Sequence, residues 1–270
     1  MIERWMTMML VLLAAGCAGP GNAVPPVVRE ARERADDGHD AFAEGRIEEA
    51  TLAYGEALSR YRSIDDPVGI VRSLVNIAVV RNASGARSDA SDCLDAVDRY
   101  VATLSPGEID GELNELRAEA AWMRAYLELD AGRRGSAWRE LERGRALGPP
   151  RGMRGRFDNL EARLRLEEGD AAGALSVARR AAGINRRAGE RAETADSHRL
   201  GGRAALATGD AVAAQAAFES ALAIDRDLAR PGKVADDLEG LADAARAMGQ
   251  AGTASAFDER ARLARRAAGE

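Results

Sequence analysis

The sequence predicts an all-α protein, a superhelical solenoid of about six helix pairs, and three observations lead there. The first is composition. Aromatic residues make up only 4% of the 270 residues, and Ala, Arg, Gly, Glu and Asp dominate. Small side chains let helices approach closely, so this packing favours stacked helices over a sandwich or a doubly wound sheet. The second is a recurrence: a glycine is followed five residues later by an alanine, at a spacing close to forty residues. A fixed period of this size means a solenoid. The third is punctuation. Proline-bearing breaks separate the units, and no segment alternates apolar and polar residues long enough to argue for a sheet.

In chain order, Met1-Ile2-Glu3-Arg4 opens onto an uncharged apolar run from Trp5 to Ala15, 11 residues long. A bilayer core needs roughly twenty helical residues, so this length suits the core of an export signal rather than a permanent anchor. The run ends in Leu13-Ala14-Ala15-Gly16-Cys17. This resembles the bacterial lipobox, with Ala14 where leucine is usual. The resemblance implies residues 1–16 as a cleaved lipoprotein signal peptide and Cys17 as the site of lipid attachment. Ala18 rather than aspartate after Cys17 implies, by the same analogy, the outer membrane, facing the periplasm. Several acyl chains anchor durably, at about 0.8 kcal/mol per buried methylene. Residues 17–27 include Gly19-Pro20-Gly21 and Pro25-Pro26 and read as a flexible tether. The helical repeat domain is expected over 28–268.

Six units follow. Gly45 leads to Ala50, Tyr54 and Ala57; Gly85 to Ala90, Leu94 and Val97; Gly132 to Ala137, Leu141 and Gly144. Gly169 leads to Ala174, Ala178 and Ala181; Gly209 to Ala214, Phe218 and Ala221; Gly249 to Ala254, Asp258 and Ala261. The geometry explains the residue choices. A helix ends and the chain turns tightly into its partner, where glycine takes the left-handed conformation freely. Asp170 and Asp210 are placed to cap the second helix of their pairs. The keyed alanine lets the two helices cross closely, and the residue four later fills the space beside it. Asp66-Pro67, Ser105-Pro106-Gly107, Gly148-Pro149-Pro150 and Pro231-Gly232 separate one pair from the next, because proline cannot continue a helix.

These units resemble the tetratricopeptide repeat over roughly residues 30 to 266. Asn76-Ile77-Ala78 with Gly85 and Ala90 matches the family's Asn-Leu-Gly, turn glycine and second-helix alanine. Asn159-Leu160 with Gly169 and Ala174, and Leu200-Gly201 with Gly209 and Ala214, match with one extra residue. The period of about forty implies an extended form of the repeat. The third unit is loose, with Arg124 and Ala125 where a leucine and a small residue belong.

Charge and chemistry narrow the function. With 38 Lys and Arg against 44 Asp and Glu, the net charge is −6, and no nucleic-acid partner is expected, since phosphate binding needs a basic face. Of two cysteines, Cys17 is consumed by lipid on this reading, and Cys93 is left as a buried, inert thiol beside Leu94 and Val97. His39 and His198 lie far apart without ligand partners at metal spacing. No nucleophile elbow or phosphate loop is present. The chain is expected to be no enzyme, to need no cofactor and to hold no metal.

Binding remains. The resemblance implies a concave groove lined by the first helix of each pair, holding an envelope protein or peptide. Candidate lining residues are Arg72, Asn76, Val79, Asn82, Asn159, Arg163, His198 and Arg203. Two readings are open for Asn76 and Asn159: hydrogen bonding to an extended peptide, or packing within their own repeat. The family's carboxylate clamp is incomplete, with Ala35, His39, Glu119 and Met123 at its positions, so an acidic C-terminal tail is not expected. The function expected is that of a membrane-anchored repeat lipoprotein, an interaction scaffold or assembly factor in the cell envelope. The alternatives are a cytoplasmic regulator of the same fold, or a ligand-binding or enzymatic solenoid.

Overall fold

The computed structural model describes residues 24–269. The signal-peptide reading and Cys17 lie outside the described residues. Among those described are twelve α-helices and no strand: α1 Pro26–Ala43, α2 Ile47–Ser63, α3 Pro67–Ala83, α4 Arg87–Val101, α5 Gly111–Asp130, α6 Arg134–Ala146, α7 Arg151–Glu167, α8 Ala171–Ala188, α9 Arg191–Ala207, α10 Ala211–Asp227, α11 Pro231–Ala247 and α12 Ala251–Ala268. They form six antiparallel pairs, and each odd-numbered helix also packs on the next odd-numbered helix from α3 to α11. The result is a tetratricopeptide-like solenoid.

The repeat signature maps directly onto geometry. Gly45, Gly85, Gly132, Gly169, Gly209 and Gly249 all turn with φ between 74° and 84°. The alanines five residues later are buried to 2% exposure or less. Asp170 and Asp210 accept the Gly173 and Ala213 amides at 2.9 Å, capping α8 and α10. At the breaks, Asp66 caps α3 through Gly69 at 3.0 Å with Pro67 opening the helix. Pro106 instead falls in a short 3₁₀ turn, Pro106–Glu108, that delays the start of α5.

The core is a string of apolar clusters rather than one centre. One runs from Ala31 on α1 to Leu127 on α5; others gather around Phe157 and around Phe218. Aromatic rings sit where glycines leave room. Phe218 on α10 lies against Gly202 of α9 and Gly240 of α11, locking two successive pairs with one side chain. Arg124 explains the loose third unit. It holds a core-facing position by bonding Asp98 at 2.6 Å and Asp95 at 3.2 Å on α4, while Ala125 beside it is fully buried.

Candidate binding groove

The odd-numbered helices α5, α7, α9 and α11 line one groove of about 660 Å³. Its floor is built in layers. Trp122 and Tyr126, one turn apart on α5, stack at 5.9 Å between centroids. On α7, Arg156 lies 4.1 Å over the Trp122 ring and Arg163 lies 5.4 Å over Tyr126, contacts in which a cation meets the negative face of a ring. Trp122 Nε1 donates to the Arg156 carbonyl oxygen at 3.2 Å, fixing the indole. Leu160, Leu166 and Leu200 add apolar surface beside these rings.

Polar groups are distributed unevenly around this floor. Glu193 on α9 accepts from Asn159 at 3.1 Å and faces Arg156 at 3.5 Å. Burial pushes its carboxyl above the ordinary value, with Arg156 opposing. Arg163 bonds Asp130 at 2.6 Å. Burial opposes ionisation of Asp236, but Lys233, Arg199 and Arg265 outweigh it and hold that carboxyl below the usual value. Arg203 is exposed and has no ion pair among the described residues, so its guanidinium is available to a partner.

The structure divides the sequence candidates. Asn159, Arg163 and Arg203 line this groove together. Asn159, 7% exposed, is committed to α9: it donates to the Glu193 carbonyl oxygen at 3.0 Å and accepts from Ser197 Oγ at 2.6 Å. Arg72 pairs with Glu112 on α5, away from this groove. Val79 packs on the first apolar cluster. Asn76 and Asn82 are half-buried and make no side-chain hydrogen bond among the described residues.

His198 needs correcting. It lines a second pocket with α8 and α10 instead of the groove. Asp196, Arg199, Leu200 and Arg203 form the groove face of α9, whereas Ser197, His198, Gly201 and Ala205 form the other. At 3.6 residues per turn the two sets centre roughly 165° apart. The sequence reading missed Trp122, Tyr126 and Arg156. The available signal was an aromatic pair four apart on an odd-numbered helix, with two arginines about one repeat later. Cys93 is half-buried rather than buried, and burial raises its thiol pKa.

Among the described residues, no group of three or more His, Cys, Asp or Glu side chains is placed to hold a metal ion. No helix among them is long and apolar enough to cross a membrane.

No protein-family profile matches the sequence, and no curated protein is significantly similar to it. Solved structures are similar in fold. BtubC from P. vanneervenii aligns with a TM-score of 0.62 at 18% identity, covering 90% of this chain and 92% of that one. The tetratricopeptide-like repeats of a putative kinesin light chain from Podosopora anserina give 0.55 at 21% identity, covering 73% and 95%. A Rap protein complexed with Competence and Sporulation Factor gives 0.63 at 11% identity, covering 87% and 66%. At these identities the likeness concerns the fold alone.

Proposed function

We propose that this chain is a non-catalytic interaction scaffold. It holds an extended segment of a partner protein in the groove of α5, α7, α9 and α11, and it is tethered to the cell envelope through a lipid on Cys17. The observation that carries the first part is the groove floor, where Trp122 and Tyr126 are held under Arg156 and Arg163 beside exposed Arg203. Ordered aromatic and arginine side chains in a concave surface are the residues that dominate protein interfaces. A Rap protein of the same fold is complexed with a factor, which supports a partner-holding role for such an array. The Leu13–Cys17 segment and the Pro/Gly stretch after it support the anchor.

A photocrosslinker at Leu200, inside the groove, tests the first part in intact cells. A discrete adduct is expected, lost when Arg203→Glu is added and missing when the crosslinker stands at exposed Glu219 on α10. Identical adducts from both positions, or none from Leu200, overturn the reading. Cys17→Ser with cell fractionation tests the anchor. The variant should keep its signal and gain no lipid, so its mass should differ from wild type and it should no longer reach the outer-membrane fraction; unchanged mass and distribution overturn that part.

A further inference from the structure

The corrected position of His198 exposes a different feature. Between α8 and α10, floored by α9, lies a pocket of about 300 Å³. This is the low end of volumes that enclose small ligands. Its walls are Leu175, Ala178 and Ala182 from α8, with Ala213 and Ala217 from α10. Arg179 and Arg186, two turns apart on α8, flank the mouth. Both are exposed, and neither has an ion pair among the described residues. His198 is half-buried on the floor and makes no hydrogen bond there either. No acidic residue lines the pocket, and α8 contains none along its whole length. In a chain of net charge −6, this is a local excess of positive charge over an apolar hollow.

We propose that this pocket binds a short aliphatic carboxylate. The apolar chain lies against the alanines and Leu175, and the carboxylate meets Arg179 and Arg186 at the mouth. The charge pattern selects the sign: two unpaired guanidiniums attract an anion, and no lining carboxylate competes. The walls select the tail, because alanine surface offers no hydrogen bond to a polar chain. The pocket lies on the face of α9 opposite the groove, so this inference does not depend on the groove being a partner site.

His198 supplies a built-in reporter. The charged groups around it are Arg179 and Arg186 on α8; α10 presents only alanines. Burial and then Arg186 hold its pKa below the ordinary value. A carboxylate at the mouth offsets the charge of Arg186 while the tail covers the floor, so binding changes the surroundings of the imidazole and should move its resonances.

The experiment is an imidazole NMR titration of the purified full-length protein, whose two histidines are easily separated. The probes are acetate, butyrate, hexanoate, sulfate, hexylamine and a tetrapeptide ending in leucine. Hexanoate should shift the His198 resonances saturably while leaving those of His39 unmoved. Affinity should rise about fourfold per added methylene until the pocket is full. The surface variant Arg179→Gln/Arg186→Gln should weaken hexanoate at least tenfold, and Ala217→Leu should abolish the chain-length dependence, both with unchanged circular dichroism. Hexylamine or sulfate binding as tightly as hexanoate overturns the proposal, as does a His198 signal that never saturates. Tighter binding of the tetrapeptide than of hexanoate also overturns it, assigning the site to a chain terminus instead.

Discussion

Replacing Gly240 by alanine presses a methyl group into the ring of Phe218. A Cβ built there stands 2.5 Å from both Cδ1 and Cζ, and closer still to Cε1. Carbon atoms are comfortable at about 3.5–4.0 Å, so the overlap exceeds 1 Å. The ring cannot retreat. A Cβ at Gly202 on the other side would meet it at 2.8 Å, and the residue is only 1% exposed. Alanine is intrinsically better than glycine in a helix interior by about 0.8–1.0 kcal/mol. Overpacking of a filled core opposes this by about 1–3 kcal/mol, and the overlap puts Gly240→Ala at the upper end. The net expectation is a loss of about 2 kcal/mol. Gly201, adjacent to Gly202, is the control. A Cβ there meets only the Ala178 methyl, at 3.9 Å. Gly201→Ala should therefore gain most of the intrinsic 0.8–1.0 kcal/mol. Urea denaturation followed by circular dichroism reads both, and Phe218→Leu/Gly240→Ala closes a double-mutant cycle. Shrinking the ring should make the double variant more stable than the summed single losses imply. A Gly240→Ala midpoint at or above wild type refutes the reasoning, as does strict additivity in the cycle.

Asp237 should make stability pH-dependent. Burial, together with the charge of Asp225 and against the pull of Arg199, pushes its carboxyl up to about 7. Since the folded value is raised, its contribution is full below about pH 4, the unfolded value, and is lost as pH rises toward 7. Melting temperature should therefore fall across that window, and Asp237→Asn should flatten the slope; an equal slope in the variant rejects the assignment. Arg199 bonds Asp237 at 2.8 Å and also bonds Asp225, both carboxylates being 0% exposed. Removing it as Arg199→Met should lose about 3 kcal/mol in urea, because buried Asp237 loses its cation while Asp225 keeps Arg230 at 3.1 Å; a loss under about 1 kcal/mol would show Asp237 otherwise compensated. Cys93, half-buried with its thiol pKa raised by desolvation, should react with a thiol reagent at pH 7.5 at least tenfold more slowly in the folded protein than in urea, and equal rates contradict that burial.

The architecture was legible because each repeat writes the same demands into the chain. A left-handed turn admits glycine most readily, and a close crossing needs a small residue five positions on, so Gly169 with Ala174 and Gly209 with Ala214 announce themselves. The binding surface was less legible because facing changes by about 100° per residue. Asn159, Arg163 and Arg203 were placed in the groove, but His198, beside Arg199, faces the opposite side of α9. Trp122 and Tyr126 carry no repeat mark of their own, and Arg124 and Ala125 between them break the pattern of their unit. Arg124 keeps its place through Asp95 and Asp98 on another helix, a pairing that no local pattern records.

Phe218 and Arg199 share a property that bears on how the array comes apart. Arrays of stacked repeats tend to fray from their ends, since a terminal unit has one neighbour. Here the ring of α10 is seated in both α9 and α11, and the guanidinium of α9 is bonded to carboxylates on α10 and α11. The pair α11–α12 therefore cannot peel away without emptying a socket and breaking the buried Arg199–Asp237 ion pair. The last two repeats should open as one unit, with amide protons in α11 exchanging on the same clock as those in α9.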